Sequence, residues 1–358
     1  MKELALLLLV VAAASLSSNS SSNSSCDQCC DCRGDLGVTV CSGAGLSRPP
    51  GRVPPSTELL DLSHNAISSL STHAFSSSRR LRVLLLQSNR IAAVEDGSFS
   101  PLGFLQKLDL SRNRLPALTE GFSAGLAGLR ELQLAHNRLS SLDGRSFLHL
   151  DGLQRLNLSS NRIHSLHPRA FAAMSGLRHL HLQDNRLASL RSGAFAMLRS
   201  LELLQLAGNR IQQMEPGVFD PLVSLALLDL ADNRLADVSF KTFLSIQAQR
   251  THILLRGNPW SCDCELQRVF WKLRSIQRLF LDDYRNLTCN ASHALAEQLL
   301  MDVDGELCVA ETVTVLIITV TVVVTVLAAM LMAERKRRKR RKGMHWTQRE
   351  DFSEESDF

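Results

Sequence analysis

The residues with most chemistry to offer are nine cysteines, and they are unevenly spread. Cys26, Cys29, Cys30, Cys32 and Cys41 lie near one end, and Cys262, Cys264, Cys289 and Cys308 near the other, with no cysteine in between. Two tight groups are unlike the dispersed ligands of a cytosolic metal protein. They suit disulfide staples in a secreted chain, although spacing alone leaves the pairings open. The odd cysteine out in the first group is Cys29: a free thiol, an intermolecular bridge, or a residue that exchanges roles with Cys30. Five asparagines, Asn19, Asn23, Asn157, Asn286 and Asn290, each have Ser or Thr two positions on and are glycosylation acceptors if the chain is exported. No paired carboxylates, nucleophile motif or phosphate-cradling glycine loop is present, so neither enzyme activity nor a cofactor is expected. His179 and His181, with His136 nearby, hint at a metal, but scattered surface histidines are the plainer reading and no metal is expected.

The ends of the chain set the compartment that this chemistry needs. The start, MKELALLLLVVAAA, has a charged head and an apolar run too short to span a bilayer; it predicts a signal peptide over 1–14. A Ser/Asn-rich linker, 15–25, follows. Residues 312–333 carry no charge, and 22 residues of helix match a hydrocarbon core of about 30 Å. Eight consecutive basic residues come next: Arg335, Lys336, Arg337, Arg338, Lys339, Arg340, Arg341 and Lys342. Positive charge holds on the cytoplasmic side. The expected location is therefore the plasma membrane, N-terminus outside, with a cytoplasmic tail at 334–358. The basic run is expected to contact anionic inner-leaflet lipid. The tail has no Tyr, and its terminal Ser356-Asp357-Phe358 fits loosely as a ligand for a PDZ protein. Although the formal net charge is +5, much of it sits in this tail, so the rest of the 358-residue chain is not a nucleic-acid surface.

Between the cysteine groups the chain repeats. Asparagines recur at 65, 89, 113, 137, 161, 185, 209 and 233, a constant period of 24, each inside the pattern LxxLxLxxNxLxxL. Alternation in LxL puts its leucines on one side and the intervening residues on the other. Stacked coils then share a leucine interior and a parallel sheet, while each asparagine amide satisfies backbone groups where its coil turns. A phenylalanine column (Phe75, Phe99, Phe147, Phe171, Phe195, Phe219, Phe243) packs the convex side, and Phe122 of the third repeat arrives one place early. One coil cannot bury its own apolar face, so the array needs neighbours and caps.

Both caps are present, in the spacing Cys26-x3-Cys30-x-Cys32-x8-Cys41 and in NPWSCDCELQRVFWKL at 258–273, followed by Cys289 and Cys308. On these motifs the chain resembles the extracellular leucine-rich-repeat family, in particular its single-pass type I members of the trophoblast glycoprotein kind. The resemblance spans residues 26–308. It implies an α/β solenoid: a leucine-rich-repeat horseshoe with a parallel concave sheet, disulfide caps at both ends and one transmembrane helix. It further implies the pairings Cys262–Cys289, Cys264–Cys308, Cys26–Cys32 and Cys30–Cys41. The expected organisation is a cysteine-rich N-terminal cap at 26–56, eight repeats at 57–248, a cysteine-rich C-terminal cap at 249–311 and the transmembrane helix at 312–333.

The outward strand positions are the candidate ligand face. Arg82, Lys107, Arg130, Glu131, Arg155, Arg178, His179, His181 and Glu202 lead it, a polar mixture of both signs that suits an extracellular or membrane protein ligand. Asn157 points outward from the fifth strand, so a glycan there directs a partner to the rim, an end or a cap. Arginine follows the asparagine in seven successive repeats, from Arg90 to Arg234. That ladder grips an acidic partner or heparan sulfate, or else it lays apolar stems over the surface with solvated heads, the plainer reading. The function expected is a cell-surface receptor or adhesion protein. The alternative is an auxiliary subunit of an ion channel or other membrane protein acting through span and basic run, since the layout also resembles the leucine-rich-repeat auxiliary subunits of large-conductance calcium-activated potassium channels.

Overall fold

The computed structural model describes residues 29–290, 298–302 and 305–350. They fall into two compact units, one ending at Met301 and the other beginning at Asp302. The first is a solenoid built around a twelve-stranded sheet whose spatial order is the order of the sequence. Strands β1 (Asp31–Arg33) and β2 (Val38–Val40) form an antiparallel hairpin in the N-terminal cap. From β2 onward every neighbour is parallel. The repeats supply β3 (Leu59–Asp61), β4 (Val83–Leu85), β5 (Lys107–Asp109), β6 (Glu131–Gln133), β7 (Arg155–Asn157), β8 (His179–His181), β9 (Leu203–Gln205) and β10 (Leu227–Asp229). The C-terminal cap adds β11 (Thr251–Leu254) and β12 (Leu279–Leu281).

The period of 24 becomes the register. Leu60 pairs with Leu84, Leu84 with Leu108 and Leu108 with Leu132, and the column continues to Leu228; all of these side chains are buried. Strands of only three residues hold because each is flanked on both sides, so its hydrogen bonds and its leucine are completed by its neighbours. The coil geometry runs past the expected eight repeats. Thr39 in the N-terminal cap pairs with Leu60, and in the C-terminal cap Leu228 pairs with Ile253, and Ile253 with Leu281. The steps there are no longer 24 residues, which is why the repeat pattern does not reveal them.

Each asparagine binds two coils together. Asn161 is buried; its Oδ1 accepts the Leu139 N–H at 3.0 Å, while its Nδ2 donates to Leu134 O at 2.9 Å and to Leu158 O at 3.0 Å. The same set recurs from Asn65 to Asn233, and Asn258 of the NPW segment joins it, accepting from Leu235 N–H and donating to Leu230 O. The residue before each of these asparagines is left-handed: φ lies between 53° and 58° at His64, Ser88, Arg112, His136, Ser160, Asp184 and Asp232, while glycine takes the position at Gly208 and Gly257. Seven non-glycine residues thus accept a conformation that costs roughly 1–2 kcal/mol, because it aims the following amide across the coil boundary.

The convex side is turns, two short strand pairs and the phenylalanine column. Phe171, Phe195, Phe219 and Phe243 stack with centroids 6.4–6.5 Å apart. Phe99 and Phe122 meet edge to face at 5.7 Å, the local departure that its early position predicts. Helix α1 (Phe240–Leu244) ends the last repeat. Helix α2 (Cys264–Arg274) closes the core, with Asp263 Oδ1 accepting the Leu266 N–H at 2.7 Å and Phe270 meeting the buried Trp260 edge to face at 5.4 Å. Disulfides staple both ends, Cys30 to Cys41 and Cys262 to Cys289. Cys32 and Cys264 are also disulfide-bonded, whereas Cys26 lies outside the described residues. Cys29 is a free, exposed thiol whose Sγ sits 3.9 Å from that of Cys30.

The second unit is helix α3 (Gly305–Glu350), 46 residues long, and Cys308 lies on its backbone. Its stretch Val313–Lys339 is long and apolar enough to cross a membrane. At 1.5 Å per residue the helix is roughly 69 Å long, about twice a hydrocarbon core, so it continues through the basic run that was expected as tail. Val and Thr favour strands in water; here Thr319, Thr321 and Thr325 turn their hydroxyls onto the carbonyls three residues back, each at 2.8 Å.

Candidate interaction surface on the concave sheet

Parallel register lines up the outward positions into two rows, and the charges in them answer one another across adjacent strands. Lys107 Nζ lies 2.8 Å from Glu131, and Glu131 in turn lies 3.1 Å from Arg155. Arg82 meets Glu58 at 3.1 Å. Glu202 receives Arg178 at 2.8 Å and has His179 at 3.9 Å. His181 Nδ1 is hydrogen-bonded to Gln205 Oε1. Apart from His179 and Glu202, these partners stand 24 residues apart, so opposite charges at the repeat period were the available signal. Of the expected ligand-facing residues, only Arg130 is exposed without an ion pair among the described residues.

The network tunes its members. Burial alone pushes the Glu131 carboxyl up, but the hydrogen bond and charge of Lys107, with Gln133 and Arg155 adding, outweigh it and hold the group below the ordinary glutamate value. Burial pushes the His181 imidazole down; Gln205 opposes this and His179 adds to it. Asp229, in the second row, is pushed up by burial and by Asp283 and Asp232, against the Ala231 N–H and Arg256.

One row changes character along the sheet. Register places Lys107, Glu131, Arg155 and His179 in sequence, followed by Leu203, Leu227, His252 and Phe280. The leucines are half-buried and Phe280 is exposed. Its ring stacks on His252 at 5.1 Å and lies under the Arg250 guanidinium at 5.3 Å; His252 Nδ1 in turn meets Asp282 at 2.9 Å. The sequence reading named none of these. Leucine at an outward position of the pattern was the missed signal for Leu203 and Leu227, whereas β12 lies outside the 24-residue period. The other missed residue is Asp283, buried in the C-terminal cap, whose Oδ2 accepts both the Leu255 and Arg256 N–H groups at 2.7 Å.

The remaining expected sites are spread over the molecule. Asn157 is half-buried on β7, and its Oδ1 accepts the Ser159 N–H at 3.0 Å. Asn286 is exposed in a short turn of 3-10 helix, and Asn290 is half-buried beside Trp260, whose carbonyl accepts its N–H. Asn19 and Asn23 lie outside the described residues, as does the terminal Ser356-Asp357-Phe358. Arg335 to Lys339 are exposed on α3, and Arg340 to Lys342 continue its backbone. Among the described residues no three His, Cys, Asp or Glu side chains converge on a metal position.

A leucine-rich-repeat family model matches residues 54–91, 79–139, 127–187 and 175–235, together half of the chain. Among solved structures, human 5T4 (Wnt-activated inhibitory factor 1, trophoblast glycoprotein) is similar at 27% identity and a TM-score of 0.60, over 78% of this chain and 98% of that one. A leucine-rich-repeat protein of Leptospira interrogans shares the fold at 24% identity and a TM-score of 0.54, over 63% of this chain and 55% of its own. No curated protein sequence matches. The in-register leucine column, the asparagine ladder and the match over 54–235 lead to one assignment: the chain belongs to the leucine-rich-repeat family.

Proposed function

We propose that the chain is a cell-surface receptor or adhesion protein of single-pass type I topology, which binds a protein ligand on its concave sheet toward the C-terminal end. The carrying observation is the strip Leu203, Leu227, His252 and Phe280, capped by Arg250 and bordered by the self-neutralised charges of β5–β9. An apolar centre with aromatic and arginine anchors inside a polar rim is the composition of a protein-binding hot spot. The charges supply steering and specificity more than affinity. The likeness to 5T4, a glycoprotein by its own name, and the apolar helix α3 support a membrane-anchored ectodomain. Glycans on Asn286 and Asn290, and cap bridges Cys26–Cys32 and Cys264–Cys308, complete this reading.

Proximity labelling from the full chain on living cells tests it. Phe280→Ala with Arg250→Ala should remove a subset of labelled extracellular proteins while surface level and thermal unfolding stay unchanged. An identical labelled set in both would sink the concave-end site.

The length of α3 favours a second reading, an auxiliary subunit acting through the span and the basic run. Exchanging 312–342 for an unrelated span and tail separates the two, since activity carried by the concave sheet survives it.

A further inference from the structure

The concave cations Arg82, Lys107, Arg155 and Arg178 are neutralised by their neighbours, Arg130 being the exception, and the cations of the asparagine ladder are not. The seven arginines at 24-residue steps from Arg90 to Arg234 are all exposed, and none joins an ion pair among the described residues. Their roots are fixed: Arg114 N–H donates to Ile91 O at 2.8 Å, Arg138 to Leu115 O at 2.9 Å and Arg162 to Leu139 O at 2.8 Å, each tying one coil to the one before. Adjacent coils of a parallel sheet stand about 4.8 Å apart, so the row extends over roughly 29 Å. The residues next along the early coils are small and uncharged: Ala92 and Ala93, Pro116 and Ala117, Ser140 and Ser141. Exposed Arg112 adds to the row near its start, whereas Asp184 and Asp232 dilute it farther on. The positive field is therefore strongest from Arg90 to Arg138.

We propose that this edge binds a linear sulfated polysaccharide. A globular acidic partner would meet the row at one or two points. A linear chain with an anion at regular intervals meets every step, and planar guanidinium forks suit tetrahedral oxyanions bidentately. This surface is distinct from the concave strip and does not depend on it.

The test is retention of the full chain, in detergent micelles, on immobilised heparin at rising salt. Counterion release makes log K fall linearly with log salt in proportion to the charges engaged. Neutralising Arg90, Arg114 and Arg138 together (R90Q, R114Q, R138Q) should weaken binding at least about tenfold and reduce the salt slope by about three. The concave triple Arg82→Gln, Arg130→Gln, Arg155→Gln removes the same formal charge and should change binding by less than about twofold. Should the ladder triple lower thermal stability, the charge-keeping set R90K, R114K and R138K replaces it; it must keep the wild-type salt slope while binding more weakly than the wild type, because the charge stays and the bidentate forks go. Equal loss in the ladder and concave triples overturns the proposal, and so does loss on neutralising Arg335 to Lys342 instead. Displacement by polyglutamate as effectively as by heparin, at equal charge, overturns it too.

Discussion

A single residue type turns this repetitive sequence into one rigid object. Asparagine can hold two coils because its amide donates and accepts at once, and each ladder asparagine spends both functions on main-chain groups of two coils. Asn161→Ala strands the Leu139 N–H and several carbonyls in the dry interior. At about 1–3 kcal/mol for each unsatisfied group, it should lower unfolding free energy by about 3 kcal/mol or more. Chemical denaturation of the full chain in detergent, followed by a signal of the solenoid, measures this, and a loss below about 1 kcal/mol contradicts the account. A histidine makes the second residue-scale case. His181 has its folded value depressed below the ordinary 6.5 by burial, with Gln205 opposing and His179 assisting. As pH falls through about 6.5 the unfolded chain takes up a proton that the folded chain refuses, so stability is lost on acidification and is fully present above that pH. Glu131 acts in the same direction lower down: its folded value is depressed, so its contribution is present above the ordinary 4.5 and lost below it. His181→Gln should flatten the fall in melting temperature between pH 7 and 5.5. An unchanged pH profile in the variant rejects the assignment.

At the scale of elements, the caps differ from the repeats in how they end the sheet. The ladder stops at Asn258, and Asp283 takes over by accepting the Leu255 and Arg256 N–H groups with one oxygen. Asp283→Ala leaves two donors without an acceptor at the end of the core, for an expected loss of about 2–4 kcal/mol. Hydrogen exchange locates the consequence. Protection should fall in β11 and β12 and persist in β4–β8, because a solenoid loses its ends first. Uniform loss of protection along the whole array would contradict this. This contrast also separates what was legible from what was not. Wherever the 24-residue period holds, periodicity alone placed the strands, the leucine column, the phenylalanine column and the asparagines. Beyond Asn233 the step becomes irregular, so Asn258 read only as part of NPW, and β11, β12 and Phe280 stayed out of view. Asp283 has no repeat to announce it; its role depends on the chain returning under the last coil. The left-handed residue before each asparagine was equally hidden, since seven different side-chain contexts share one backbone state.

For the whole molecule, the concave sheet is one continuous surface on which a single carbohydrate chain can decide where a partner sits. Asn157 lies at the centre of the sheet, on β7, between Gln133 and His181 of the adjacent strands and two residues along from Arg155, which itself pairs with Glu131. Its Oδ1 is engaged by the Ser159 N–H, so the amide nitrogen, the atom that carries a glycan, is not the atom that makes this contact. A branched carbohydrate there covers the charged middle of the row and leaves both ends open. The strip from Leu203 to Phe280 is one of those ends, two to five strands away at about 4.8 Å per strand. If the site is occupied, Asn157→Gln should leave binding at the Phe280 end intact and open the centre to additional partners. On cells this appears as new extracellular proteins in the labelled set, none of them lost with Phe280→Ala. Intact-mass measurement first establishes occupancy. A glycan found at Asn157 with no change in the labelled set after its removal would show that the carbohydrate does not steer binding, and that the charged centre is ordinary solvated sheet.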